Sequence, residues 1–126
     1  ADVTRWQKKM VPMSKAIRAK FDHYVDKEIE AVGGTNIYDA LAEAFRLAGI
    51  GAIDKAYEAG VDTIFFLTDG QPTQGEVLDP EEILRRVKEK NRLSRIVLHT
   101  VGVGKDHDAT FLRRLAEQNG GQYVGR

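Results

Sequence analysis

The chain has 126 residues, enough for one domain with a real core and too few for two. Its 19 basic and 19 acidic residues cancel, so we expect no binding to nucleic acid or to a membrane surface through bulk charge. Cysteine is absent, which excludes disulfides and thiolate metal sites, and no apolar stretch is long enough for a membrane span. We therefore treat residues 1–126 as a single domain.

The first half of the chain is predicted to be mainly helical. A weak strand is expected at residues 1–7, followed by a helix at about 14–31, where apolar residues recur at helical spacing. A second helix begins near Asn36. Two glycines are expected to interrupt it before a further helical piece at 52–60.

From residue 61 onwards strands alternate with helices. Strands are predicted at 61–67, 95–104 and 122–126, and the helices between them, at 79–91 and 107–121, each have an aspartate near the start that can cap them. Five of the seven residues at 61–67 are apolar, which is typical of a strand covered on both faces. The order predicts an open α/β fold, with a parallel sheet and helices on both faces.

An aspartate and a glycine follow the most apolar of these strands. In parallel α/β sheets, ligands bind at the carboxyl ends of the strands, which is where Asp69 and Gly70 lie. Asp69 is either a ligand-binding group or the capping residue of a simple turn. Thr68 beside it either bonds a neighbouring loop or covers the strand end.

The sequence Gly-Gly-Thr-Asn at 33–36 is the second candidate site. The glycines Gly33 and Gly34 permit positive φ angles. The hydroxyl of Thr35 either caps the following helix or coordinates a hard cation such as Mg²⁺, which prefers oxygen ligands.

The histidines do not indicate a metal or catalytic site. His23, His99 and His107 fall on a helix, a strand and a loop, with no pair at metal-ligand spacing. His99 is predicted to be a core residue, and the role of Asp108, next to His107, is explained by capping. No catalytic residues are predicted.

Four stretches together resemble a von Willebrand factor type A (vWA) domain. They are GGTNIYDAL (33–41), IFFLTDGQPT (64–73), IVLHTVGVG (96–104) and FLRRLAEQNGGQYV (111–124), in the order of that family. The resemblance implies a doubly wound, Rossmann-like three-layer sandwich with a metal-ion-dependent adhesion site (MIDAS) at its top.

The resemblance also implies roles for individual residues. Thr35 and Asp69 match the family's metal-binding threonine and aspartate, for Mg²⁺ or Mn²⁺, and an acidic side chain of a partner protein would complete the coordination. The site loops would be supported by neighbouring residues, namely Gly33, Gly34, Asn36, Thr68 and Gly70.

The family's Asp-x-Ser-x-Ser motif is absent from this sequence. By resemblance, the first two strands and the first helix of the domain are missing from its N-terminus, so 1–126 would be a partial domain with weak metal binding. The backbone of 61–67 would then have an open edge, which we expect to pair with residues 1–7, with a second copy of the chain or with the missing segment.

Three functions follow from these observations. The first is a protein-binding, adhesion-type module with a remnant MIDAS, and not an enzyme. The alternative is a metal-independent structural or interaction domain in which Thr35 caps a helix and Asp69 forms a turn. A Mg²⁺-dependent phosphohydrolase is the least supported, because no second strand-end carboxylate, general base or phosphate loop accompanies Asp69.

Overall fold

The computed structural model describes residues 3–8, 10–30, 33–53 and 61–126. Within these ranges the chain forms four helices and three strands. In chain order they are α1 (Lys15–Lys27), α2 (Ile37–Ile53), β1 (Thr63–Thr68), α3 (Pro80–Ser94), β2 (Val97–Gly102), α4 (Ala109–Gln118) and β3 (Tyr123–Gly125).

The three strands form one parallel sheet in the order β1-β2-β3. Thr63 lies opposite Val97 at the start of β1, and Thr68 lies opposite Gly102 at its end. The carboxyl ends of all three strands therefore meet at one edge of the sheet. This arrangement confirms the predicted α/β, Rossmann-like fold class.

Helices α1, α3 and α4 begin at polar residues that bond their first turns. The side chain of Ser14 accepts a hydrogen bond from the amide of Ile17, and Asp79 and Asp108 cap α3 and α4 in the same way. Each cap satisfies an amide that has no partner inside its helix. The capping aspartates were correctly identified from the sequence.

The N-terminal half differs from its prediction. Residues 3–7 form no strand, and α1 ends at Lys27 instead of near residue 31. Helix α2 continues through Gly49 and Gly51, because an isolated glycine costs a helix only about 1 kcal/mol. The further helical piece expected at 52–60 lies mostly outside the described residues.

The core lies on one face of the sheet. Leu98 and Thr100 of β2 point into it, and Leu112 and Leu115 of α4 pack against them, all four being inaccessible to solvent. The hydroxyl of Thr100 donates a hydrogen bond to the carbonyl of Leu112 (2.8 Å), which fixes α4 on the sheet. Helices α2 and α3 contribute further large core residues, including Leu41, Ile37, Ile83 and Val87.

The other face of the sheet is open among the described residues. Phe65 and Leu67 are 68% and 62% exposed, although β1 is predicted to be covered on both faces. His99 lies on this open face, half-buried, with its ring stacked on Phe65 at a centroid distance of 5.0 Å. It is therefore not the core residue expected from the sequence, because side chains of successive strand residues alternate between the faces.

Candidate functional site

The loop that precedes α2 and the loop that follows β1 are hydrogen-bonded together. The amide of Thr35 donates to the hydroxyl of Thr73 (2.8 Å). In return, the amides of Thr73 and Gln74 donate to the carbonyl of Thr35 (2.9 and 3.1 Å). Two segments that lie nearly forty positions apart in the sequence are thereby fixed at the carboxyl end of β1.

Asp39 extends this connection into the first turn of α2. Its carboxylate accepts hydrogen bonds from the side-chain amide of Asn36 (2.8 Å) and from the backbone amide of Glu76 (3.3 Å). Asn36 in turn accepts from the amide of Asp39 (3.2 Å), so Asn36 caps α2. Sequence reasoning missed Asp39 and Thr73; the Asn-x-x-Asp spacing, a variant of the capping box, was the available signal.

The Thr35 side chain lies against Gly70, the residue directly after Asp69. A Cβ atom added at Gly70 would be 2.8 Å from the Thr35 hydroxyl oxygen, so only glycine permits this contact without a shift. Since Asn36 caps the helix, the hydroxyl of Thr35 does not, and it has no hydrogen bond to any part of the chain that the structure describes.

Asp69 extends from the end of β1 into solvent. Its carboxylate makes no hydrogen bond or ion pair with the described residues, and its side chain is exposed. The turn is closed by Thr68 instead, whose hydroxyl lies 3.3 Å from both the amide and the carbonyl oxygen of Gly70. The turn-capping role considered for Asp69 is thus filled by the preceding residue.

The two glycines before Thr35 have different functions. Gly33 has a φ of 78°, in the left-handed region expected for a glycine turn. Gly34 is required for space, because an added Cβ atom would be 2.5 Å from the Thr73 hydroxyl oxygen.

The edge therefore offers one hydroxyl and one carboxylate, which are oxygen donors of the kind that hard cations prefer. Within residues 3–8, 10–30, 33–53 and 61–126, no group of three or more histidine, aspartate or glutamate side chains is arranged to hold a metal. The donor set fits part of a Mg²⁺ or Mn²⁺ shell and leaves most of an octahedron to water or other ligands.

The neighbouring strand ends carry residues with structural roles. His107 lies over Gly102, where a Cβ atom would be 2.2 Å from its ring, and its Nε2 is 2.7 Å from the Tyr123 hydroxyl. Asp108 accepts a hydrogen bond from the amide of Phe111 (3.0 Å) and caps α4, as expected from the sequence.

Comparison with known proteins agrees with this geometry. The family model of the von Willebrand factor type A domain matches residues 1–124. The chain belongs to this family. Among solved structures, "von Willebrand factor type A from Catenulispora acidiphila" matches 94% of this chain and 25% of its own chain, with a TM-score of 0.72 at 20% identity.

The vWA chain also resembles inter-alpha-trypsin inhibitor heavy chains. It is 36% identical over 121 residues to heavy chain H4 of Homo sapiens and 34% identical over 124 residues to heavy chain H2 of the same species. Each alignment covers 95% of this chain but only 13% and 12% of the relative. The chain therefore spans about an eighth of the length of these relatives. No helix among the described residues is long and apolar enough to cross a membrane.

Proposed function

We propose that this vWA chain is a protein-binding, adhesion-type module with no enzymatic activity. In complete form it binds an acidic side chain of a partner protein through Mg²⁺ or Mn²⁺, held in part by Thr35 and Asp69. The proposal depends on one observation: at the carboxyl end of β1, the Thr35 hydroxyl and the Asp69 carboxylate both lack a structural partner among the described residues.

This observation favours the metal-binding function over the metal-independent one. If Thr35 and Asp69 only shaped the loops, they would make the helix-capping and turn-closing bonds. Asn36 and Thr68 make those bonds instead. A hydroxyl and a carboxylate that serve no local structure at a ligand-binding edge are therefore proposed as cation ligands.

A bound cation would supply the positive charge that attracts a partner carboxylate. The chain's own contribution is to hold the Thr35 hydroxyl beside the Asp69 turn, which the bonds to Thr73 and the close approach to Gly70 achieve. Because two protein oxygens form only a minority of an octahedral shell, we expect Mn²⁺ affinity in the millimolar range for this chain alone.

Titration with Mn²⁺ tests this site without a partner. We expect the paramagnetic ion to broaden the NMR amide signals of Thr35, Asp69 and Gly70 first. Asp69→Asn should abolish the selective broadening. The matched control is Asp62→Asn, which removes an exposed carboxylate at the other end of β1 and should leave the broadening unchanged.

Broadening that is equally strong in the Asp69→Asn variant would refute the proposed site. So would micromolar Mn²⁺ affinity in this chain, because two ligands cannot produce it. In a chain that also carries the Asp-x-Ser-x-Ser motif, Asp69→Ala should abolish metal-dependent binding of the partner, and unchanged binding would exclude the metal-mediated mechanism.

We also propose that the outer edge of β1 pairs with a second copy of the chain. Among the described residues β1 is paired only with β2, residues 3–7 form no strand that could cover it, and Phe65 and Leu67 lie exposed beside the free edge. Open, apolar edge strands associate readily. Sedimentation should therefore show concentration-dependent dimers that Leu67→Lys removes. A wild-type chain that stays monomeric at high concentration would contradict this.

A further inference from the structure

A cavity among the described residues lies at the opposite end of the strands from Asp69. It has a volume of about 450 Å³, within the usual range of ligand sites. Its walls come from α3 from Arg85 onwards, from the turn after this helix, from the start of β2 and from the end of α4. Neither the metal-site proposal nor the self-association proposal involves this region.

Four cationic side chains line this cavity, at helical spacing along α3 and just beyond it. Arg85 is paired with Glu82 (2.5 Å), and Arg92 lies 3.7 Å from Glu89. The other two are Lys88 and Arg95, which have no ion pair with the described part of the chain. Two unpaired cations thus lie beside one preformed concavity.

Arg95 has a backbone conformation that L-residues rarely adopt. It follows the last residue of α3 with φ 51° and ψ 38°, the only positive φ among the described non-glycine residues. Glycine is the preferred residue at this position after a helix, and any other residue there is strained. A strained position that holds an unpaired arginine beside a cavity suggests that the side chain has a binding role.

The inner part of the cavity is connected by side-chain hydrogen bonds. The side-chain amide of Asn91 donates to the carbonyl of Ile96 (2.6 Å) and to the side-chain oxygen of Asn119 (3.0 Å). Its own oxygen accepts from the amide of Ile96 (2.7 Å). Since these polar groups satisfy one another, a ligand would be held by the cations at the rim and by the apolar wall that Val97 contributes.

The helix ends alone do not neutralise these charges. Helices α3 and α4 both end at this cavity, and each end carries roughly half a negative charge. Together they offset about one of the two unpaired cations, while Arg85 and Arg92 are opposed by Glu82 and Glu89. A net positive charge remains for an anionic ligand.

We infer that this cavity binds a small organic phosphate monoester. Its phosphoryl group would lie between the ammonium of Lys88 and the guanidinium of Arg95, and its organic part would lie against Val97. Arginine and lysine are the residues that bind phosphate oxygens most strongly, and a dianion gains more than a monoanion from two cations.

Phenyl phosphate, phenyl sulfate and inorganic phosphate, titrated into the full chain and followed by NMR, test this inference. We expect phenyl phosphate to bind most tightly, with the largest shifts at the amides of Arg95, Ile96 and Val97. Phenyl sulfate carries one charge fewer and inorganic phosphate lacks the apolar body, so both should bind more weakly. Lys88→Ala should lower phenyl phosphate affinity about tenfold.

Lys90→Ala is the matched control, because it removes an exposed cation from the same helix outside this cavity. It should change the affinity less than about twofold, as expected for screened long-range charge. An equal loss in the Lys88 and Lys90 variants would mean that only bulk charge matters and would overturn the proposal. So would the absence of saturable binding, or equal affinity for phenyl sulfate and phenyl phosphate.

The variant Arg95→Gly separates the contribution of the Arg95 side chain to ligand binding from its effect on stability. Glycine should relieve the left-handed strain and raise the thermal midpoint, while phenyl phosphate affinity falls about tenfold. An affinity that is unchanged in this more stable variant would overturn the role of Arg95.

Discussion

Leu98 on β2 and Leu67 on β1 are the same residue type on neighbouring parallel strands, yet their surroundings are opposite. Leu98 is inaccessible to solvent beneath the helices, whereas Leu67 is 62% exposed. The strand alternation places Leu98 with Ile64 and Phe66 on the covered face, and Leu67 with Phe65 on the open face.

This difference shows what an apolar run can and cannot reveal. The sequence TIFFLT is suited to burial on both faces, as in parallel sheets with two helical layers. The described residues supply helical cover for only one of them. The apolar content of β1 therefore predicted the strand, but not which of its side chains would be in contact with water.

The largest expected effect is the loss of stability when a leucine on the covered face is truncated. The same truncation on the open face is the matched comparison. Leu98→Ala should lower the free energy of unfolding by about 2–5 kcal/mol, because it leaves a cavity in a closely packed core. At a protein concentration where the chain is monomeric, Leu67→Ala should change it by less than about 0.5 kcal/mol, because the side chain is already mostly hydrated. Urea denaturation of the two variants measures both.

A comparable loss in both variants would mean that the open face is covered in solution. Measurement at two protein concentrations identifies the source of that cover, since protection by a second copy grows with concentration whereas cover from within the chain does not.

A smaller loss of stability is expected when a polar side chain that bonds the backbone is removed, either in the core or on the open face of the sheet. Asn91 is buried and bonds both the amide and the carbonyl of Ile96, so Asn91→Ala should cost about 1–3 kcal/mol. His99 on the open face accepts one hydrogen bond from the amide of Gln122 (3.1 Å) and stacks on Phe65. His99→Ala should cost about 0.5–1 kcal/mol, because water replaces the lost acceptor.

Chemical denaturation of the two variants, under the same conditions, checks this ranking. If His99→Ala were the more damaging change, the stacked pair would be part of a second core, and the open face would not be open in solution.

Much of the fold follows from local sequence signals. The aspartates at 79 and 108 identified the starts of α3 and α4, because a capping side chain acts on amides within its own helical turn. The course of α2 through Gly49 and Gly51 did not follow, because its continuation depends on the packing of neighbouring elements, which overrides a weak local preference. The unusual conformation of Arg95 gave no sequence signal, since glycine is the residue that marks such positions.

The residues of the candidate site could be predicted from the sequence, but the hydrogen bonds that connect them could not. The strand ends and the family resemblance identified Thr35 and Asp69 as candidate ligands. The structure places the Thr35 side chain against Gly70. The sequence offered Thr35 as a possible helix cap and Asp69 as a possible turn residue. Asn36 and Thr68 make those bonds instead, because the two neighbours in each pair have similar hydrogen-bonding groups. Packing between the two loops decides this, and no spacing rule encodes it. The metal-binding role stays a prediction.

The smallest expected effect on stability comes from a carboxylate on the outer surface of the helical layer that covers the sheet, where α3 faces water. Hydrogen bonds from Arg85 and Arg86 lower the pKa of Glu82 from 4.5 to about 2. A carboxylate whose pKa is lowered by folding adds stability that is complete above its unfolded pKa and is lost as the pH falls through the folded pKa. Glu82→Gln should therefore lower the thermal midpoint slightly above pH 4.5, and the difference should vanish towards about pH 2.

Exposure and salt limit this contribution. Both arginines reach the carboxylate from the surface, so added salt should reduce the difference between the wild type and the Glu82→Gln variant. Glu117→Gln, which removes an exposed carboxylate with no ion pair among the described residues, is the control for a change in net charge alone. An effect of Glu82→Gln as large as that of Leu98→Ala would mean that the surface of this layer, and not its inner face, stabilises the fold. Burial makes the inner face the stronger contributor, because water and ions compete for the charges of Glu82 but cannot reach Leu98.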